Sequence, residues 1–97
     1  MKNGLVEFAN GDKWWYKNRE IHRDNNLPAI IFYDEYGSII CERYWKNNKL
    51  HRANGPANIR YNEDGSIISK EYYLNNIEVT DELQLMVLQA LEMEKNI

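Results

Sequence analysis

The chain has 97 residues and a single cysteine, Cys41, so we expect one domain and exclude an internal disulfide. Residues 1–60 carry ten Lys and Arg against seven Asp and Glu, whereas residues 61–97 carry two against eight; the net charge of −3 is therefore unevenly distributed. This asymmetry is too small to indicate a nucleic-acid binder. Because we find neither a signal peptide nor an apolar run near about 18 residues, we expect a soluble, cytoplasmic protein without a membrane partner.

Runs rich in Ile, Tyr, Trp and Phe, bounded by Asn and Gly clusters, predict three antiparallel hairpins. The first hairpin turns at Asn10-Gly11, where both positions accept positive φ. The second and third place Gly37 and Gly65 in their turns. The predicted strand pairs are residues 5–8 with 13–17, 29–34 with 38–46, and 57–62 with 66–74, and short segments follow at 19–22, 49–51 and 77–79.

The second and third hairpins are copies of one repeat, which is the main constraint on the fold. Residues 28–48 align with residues 56–76 without a gap, at an offset of 28. Residues 15–23 align with residues 44–52 at an offset of 29, and Leu27 is the insertion that changes the offset. A shorter match covers residues 5–18. Hairpins that repeat in this way can share one sheet and bury a continuous face.

Residues 80–95 predict one C-terminal α-helix, because their apolar side chains recur at helical spacing. Thr80 or Asp81 can cap its start. Leu85 and Leu88 lie on the side opposite the main apolar stripe, so both sides of the helix are apolar. We expect these two leucines to contact a second chain, in a homodimer or in a target protein. The main stripe contains Leu83, Met86, Val87, Ala90 and Met93.

The alternation of residues 57–61 predicts which side chains face the core. Ala57, Ile59 and Tyr61 point inward, and Asn58 and Arg60 point outward. The repeat then places Ile30 and Phe32 on the outward face, at the positions of Asn58 and Arg60. Two large apolar side chains there need a cover: either the C-terminal helix or the first hairpin lies over them, or they form a partner-binding patch.

His22 and His51 recur beside Arg23 and Arg52, so we interpret them as a repeated structural contact. Asp24 lies near His22 and could orient it for hydrolytic chemistry, but the matching position in the next copy is Ala53. No spacing typical of zinc ligands and no Gly-rich phosphate loop occurs in the sequence. We therefore predict a protein that is not an enzyme, with no metal and no cofactor.

Aromatic and basic residues interleave in the repeat, which raises a ligand-binding alternative. Trp14, Trp15 and Trp45 lie among lysines and could form a stacking platform for a nucleotide or a nucleic acid. The same rings belong to the repeat core and the chain is acidic overall, so nucleic acid is the less favoured partner.

The pattern Y-x-x-x-G-S-I-I … Y-W-K-N-N-K-L-H-R-x-N-G-P-A-x-I resembles the variant MORN-like repeats of bacteria, phages and giant viruses. The resemblance covers roughly residues 5–79. The chain departs from it at Asn25-Asn26-Leu27, where the Asp-Gly pair is lost, and at Asn48 and Asn76, where Gly is usual. The resemblance implies an antiparallel β-repeat used for binding, often described as antitoxin-like, and it implies no catalytic residue.

These observations predict a mainly β protein of the α+β class. We expect one domain over residues 1–97: an antiparallel β-meander of tandem hairpin repeats at 5–79, and one C-terminal α-helix at 80–95. The favoured function is a non-enzymatic protein-binding module, an accessory of a phage or mobile element that inhibits a host defence protein, as an anti-CRISPR does, or a toxin protein. The alternatives are a nucleotide or nucleic-acid binder that uses the exposed aromatics, and a hydrolase that uses the two histidines.

Overall fold

The computed structural model describes residues 3–80 together with Met86, Gln89 and Ala90. The described chain is built from short strands separated by tight turns. The strands are β1 (Gly4–Glu7), β2 (Lys13–Lys17), β3 (Glu20–Ile21), β4 (Ile30–Tyr33), β5 (Ile39–Arg43), β6 (Trp45–Lys46), β7 (Lys49–Leu50), β8 (Asn58–Tyr61), β9 (Ile67–Glu71), β10 (Tyr73–Leu74) and β11 (Ile77–Glu78).

The strands form one large antiparallel sheet and two small ribbons. The large sheet has the order β1-β2-β4-β5-β8-β9, and β3 pairs with β2. The ribbons are the hairpins β6-β7 and β10-β11. The antiparallel hairpins that the sequence predicts are therefore confirmed.

The predicted α+β class with a C-terminal helix is wrong. The described chain is nearly all β, with 46% of its residues in strands and 4% helical, and no helix is seen in it. The helical residues are the separate positions Met86, Gln89 and Ala90. Leu85, Leu88 and the rest of the predicted helix lie outside the described residues. Apolar spacing alone is a weak helix signal, because most helical stability in proteins comes from tertiary packing.

The two aligned copies have the same strand register, as the repeat requires. Ile30 pairs with Arg43 in the hairpin β4-β5, and Asn58 pairs with Glu71 in the hairpin β8-β9. Both hairpins have an irregularity at the same step, between Phe32 and Tyr33 and between Arg60 and Tyr61. The offset of 28 therefore holds for the backbone as well as for the sequence.

Ile30 and Asn58, which the alternation predicts on the outward face, are both buried. Ile30 is 2% exposed and Asn58 is 7% exposed, so both faces of the sheet are covered at these positions. Each position is flanked on both neighbouring strands by long side chains, since Ile30 lies between Trp14 and Arg43 in the register. Cross-strand neighbours share a face and cover the shorter side chain between them.

The larger core cluster joins the sheet to the ribbons. Tyr44, Ala57 and Ile59 are buried together, and Leu50 of β7 and Tyr73 of β10 pack against them. The ribbons therefore contact the inward face that the alternation of residues 57–61 predicts. A second cluster consists of Leu74 and Val79, with Tyr72 packed against it.

Candidate functional site

The two histidines hold the turns of the following hairpins. The Nδ1 atom of His22 accepts a hydrogen bond from the backbone N–H of Asn47 at 3.1 Å, and Nδ1 of His51 accepts one from Asn75 at 3.0 Å. Both rings are buried, at 6% and 7% exposure. We call this repeated hydrogen bond the His–turn contact. It explains why His recurs in the sequence without any metal-ligand spacing.

The second Asn of each turn donates one hydrogen bond to a residue of an earlier strand and accepts another from the same residue. The backbone N–H of Asn48 donates to the carbonyl of Ile21 at 3.0 Å, and Oδ1 of Asn48 accepts from the N–H of Ile21 at 2.6 Å. Asn76 makes the same pair of bonds with Leu50, at 2.9 and 2.7 Å. These asparagines have positive φ, which Asn tolerates better than other side chains. Glycine at these positions would supply no Oδ1 acceptor.

The arginine that follows each histidine lies over an aromatic ring of its own repeat. The guanidinium carbon of Arg23 is 3.7 Å from the centre of the Trp15 ring, and that of Arg52 is 3.8 Å from the centre of the Tyr44 ring. Cation–π contacts of this kind are worth about 0.5–2 kcal/mol, depending on their desolvation. Burial raises the pKa of Tyr44, and the positive charge of Arg52 opposes this rise.

The same guanidiniums also form a hydrogen bond with the loop that leads into the next strand. Nη1 of Arg23 donates to the carbonyl of Pro28, and Nη1 of Arg52 donates to the carbonyl of Pro56, each at 3.1 Å. A Cβ at Gly55 would lie 2.9 Å from Nη1 of Arg52, so a larger residue there would displace the end of this side chain. The recurring His, Arg and Pro residues are thus parts of one structural contact, and the sequence repeat was the signal for it.

A cleft of about 290 Å³ lies where the two copies meet, and we call it the inter-repeat cleft. One wall is the loop 24–27, in which Asn25 and Asn26 have positive φ. The opposite wall includes Trp45, Lys46 and Arg52. Oδ1 of Asn26 accepts a hydrogen bond from Nε of Arg52 at 2.9 Å and so joins the two walls.

The three tryptophans predicted as a stacking platform do not share one face of the sheet. Trp14 and Trp15 are adjacent in β2 and point to opposite faces of the sheet. Arg23 covers the ring of Trp15, and Trp14 contacts Phe8 edge-on and stacks on Tyr16 at 6.5 Å. Trp45 alone lines the inter-repeat cleft, where its indole N–H is buried and has no hydrogen-bond partner in the described part of the chain.

The predicted pair of His22 and Asp24 is present in one copy only. Nε2 of His22 lies 2.7 Å from Oδ1 of Asp24, and Nζ of Lys17 lies 3.5 Å from the other carboxylate oxygen. The hydrogen bond from His22 holds the pKa of Asp24 below its ordinary value, and Lys17 acts in the same direction. Both ring nitrogens of His22 therefore have partners within the protein.

Of the four residues predicted to bind a partner, the structure describes two. Ile30 is buried, and Phe32 is half-buried beneath the guanidinium of Arg43, which lies 5.1 Å from the ring centre. Leu85 and Leu88 lie outside the described residues. Neither described residue forms an open apolar surface.

Sequence reasoning missed the apolar surface that is exposed. Ile67 and Ile68 of β9 are 47% and 61% exposed, and their equivalents Ile39 and Ile40 of β5 are 37% and 38% exposed. The recurring Gly-Ser-Ile-Ile sequence was the available signal, but alternation could not orient two adjacent isoleucines beside a bulge. Strand β9 is also the last strand of the large sheet.

The described residues offer neither a membrane-spanning helix nor a metal site. No helix in the described part of the chain is long and apolar enough to cross a membrane. Among residues 3–80, 86, 89 and 90, no group of three His, Cys, Asp or Glu side chains could hold a metal ion. Comparison with known proteins adds no relative: no family model, no curated protein and no solved structure matches this chain.

Proposed function

We propose that this chain is a non-enzymatic protein-binding module whose partner adds a strand to the outer edge of β9. The observation that carries the proposal is the exposed apolar character of this edge strand, in which Ile67 and Ile68 are 47% and 61% exposed. Natural proteins usually protect their edge strands with charge, proline or a covering segment, because an open edge pairs with other chains. An apolar edge strand therefore suits a binding surface.

The repeat supports this choice of edge. The outer edge of β5 pairs with β8 through Cys41 and Arg43, which lie opposite Arg60 and Asn58. The equivalents of those two β5 residues in β9 are Ser69 and Glu71, and within the described chain no strand pairs with their outer edge. The outer edge of β9 is thus equivalent to the outer edge of β5, which pairs with strand β8. Strand addition of this kind supplies affinity through main-chain hydrogen bonds and specificity through alternate side chains.

The partner that we propose is a toxin or a host defence protein. The resemblance of the His-Arg and Gly-Pro-Ala pattern to repeats described as antitoxin-like supports this class. An accessory protein of a phage or mobile element that blocks such a target needs a binding surface and no catalytic group. The β9 edge provides that surface.

A charge placed on the edge strand tests the proposal. The chain is immobilised and used to capture proteins from a host lysate, with Ile68→Lys and Ile40→Lys compared with the parent. Ile40 is the repeat equivalent of Ile68 but belongs to β5, which has a paired strand on each side. We expect Ile68→Lys to lose the captured protein and Ile40→Lys to retain it.

Equal capture by the parent and both variants would contradict strand addition at β9. Retention on single-stranded DNA that weakens steeply with salt would instead support the nucleic-acid alternative.

A further inference from the structure

The inter-repeat cleft is a concave site separate from the proposed binding edge, because none of its lining residues belongs to β9. Its volume of about 290 Å³ is close to the lower limit for small-molecule pockets, which is about 300 Å³. Its walls come from two successive copies of the repeat, so it exists only where two copies adjoin. Its apolar and aromatic lining residues are Leu27, Tyr44, Trp45 and Ala53.

The charged groups of the cleft are mostly positive. Arg23, Lys46 and Arg52 line it, against the single carboxylate of Asp24. That carboxylate is already paired with His22 and Lys17, at 2.7 and 3.5 Å. In the described part of the chain neither arginine lies within 4.0 Å of a carboxylate. The cleft therefore favours an anion.

Hydrogen-bond donors in the cleft exceed the acceptors that the described chain provides. A guanidinium carries five N–H donors. The contacts described above use Nη1 of Arg23, and Nη1 and Nε of Arg52. The indole N–H of Trp45 is buried without an acceptor, which is costly for a polar group.

We infer that the inter-repeat cleft binds a small organic anion with one flat apolar ring, whose oxyanion is a carboxylate or a phosphate. The oxyanion contacts the guanidiniums and Lys46, and the ring lies against the aromatic wall. Arginine binds both kinds of oxyanion in a planar, charge-assisted geometry. The flat apolar ring matches the apolar and aromatic residues that line the cleft beside these cations.

Matched small probes test this inference on the full chain by NMR, with the Trp45 indole N–H as the reporter. Benzoate and phenyl phosphate carry the two oxyanions on the same ring, and benzamide is the neutral equivalent of benzoate. We expect a saturable shift with at least one of the anions, and about tenfold weaker binding of benzamide. Which anion binds more tightly identifies the type of oxyanion.

Two lysine variants locate the site. Lys46 and Lys49 lie opposite each other in the ribbon β6-β7, and only Lys46 lines the cleft. We expect Lys46→Gln to weaken binding of the anion several-fold and Lys49→Gln to leave it unchanged, with the same melting temperature in both. The inference would be overturned if neither anion gave a saturable shift. It would also be overturned if benzamide bound as tightly as benzoate, or if the two lysine variants had equal effects.

Discussion

The two copies of the repeat share their polar contacts but differ in the side chains that fill their strands. In both, a histidine accepts from an Asn-Asn turn and an arginine lies over a ring and donates to a proline carbonyl. At one buried strand position, however, the first copy has Ile30 and the second has Asn58. The comparison teaches that the recurring polar residues determine the repeat geometry, whereas a buried strand position accepts either chemistry if its neighbours match.

The neighbours of the two buried positions explain how each is accommodated. Asn58 donates from Nδ2 to Oε1 of Glu71 at 2.9 Å, and its Oδ1 accepts from the thiol of Cys41 at 3.3 Å. Around Ile30 the corresponding cross-strand residue is Arg43 rather than a carboxylate. A buried amide is stable only where both its donor and its acceptor have partners.

Exchanging these two residues should have the largest effect. Ile30→Asn loses the burial of an apolar side chain and leaves an amide without the partners of Asn58, so we expect a loss of about 3–5 kcal/mol in the free energy of unfolding. Asn58→Ile removes two hydrogen bonds but buries more apolar surface, so we expect a change within about 1.5 kcal/mol. Urea denaturation measures both variants. Equal losses of unfolding free energy in the two variants would contradict the claim that Ile30 and Asn58 have different environments.

Removing either histidine tests whether the two copies use the His–turn contact equally. His22→Ala and His51→Ala each leave a turn N–H without its acceptor and create a cavity, so we expect losses of about 2–3 kcal/mol in each. His→Asn at the same positions is the control, because its Oδ1 can replace Nδ1 and should recover part of the loss. A large loss at one histidine only would show that the copies are not equivalent.

The Asn-Asn turn allows a sharper comparison of two adjacent residues. Both Asn47 and Asn48 have positive φ, but only Asn48 accepts a described side-chain hydrogen bond, from Ile21. We expect Asn48→Gly to cost about 1 kcal/mol and Asn47→Gly to be neutral or slightly stabilising. Thermal unfolding compares them. A stabilising Asn48→Gly would show that the Oδ1 bond contributes little.

The smallest effect concerns the difference between Asp24 and its equivalent Ala53. Because its folded-state pKa is lowered, Asp24 contributes stability above its ordinary pKa of 3.8, and this contribution is lost as the pH falls through the folded-state pKa. Its side chain is 59% exposed, so solvent screens the pair and Asp24→Ala should cost less than about 1 kcal/mol at neutral pH. Denaturation at neutral and acidic pH should show the difference disappear in acid. A difference that persists in acid would exclude the carboxylate charge as its cause.

The sequence predicted the hairpins because their turns need positive φ and their strands repeat at a fixed offset. It left open whether Ile30 is covered or forms a binding patch, because alternation assigns a side chain to a face and says nothing of what covers that face. The histidines were correctly predicted to make a repeated structural contact, since both appear in matching positions. The sequence could not predict the cleft, because its shape depends on how closely the two copies approach each other. Its tryptophan, Trp45, was identified, but together with Trp14 and Trp15, which do not line the cleft.

The central claim is that each histidine protects the turn of the following hairpin, and amide hydrogen exchange tests it most directly. The exchange rates of the Asn47 and Asn75 backbone N–H groups are measured in the parent and in His51→Ala under native conditions. The contact between His51 and Asn75 predicts that Asn75 exchanges faster in the variant while Asn47, bonded to His22, stays protected. An unchanged rate at Asn75, or equal acceleration at both positions, would contradict it.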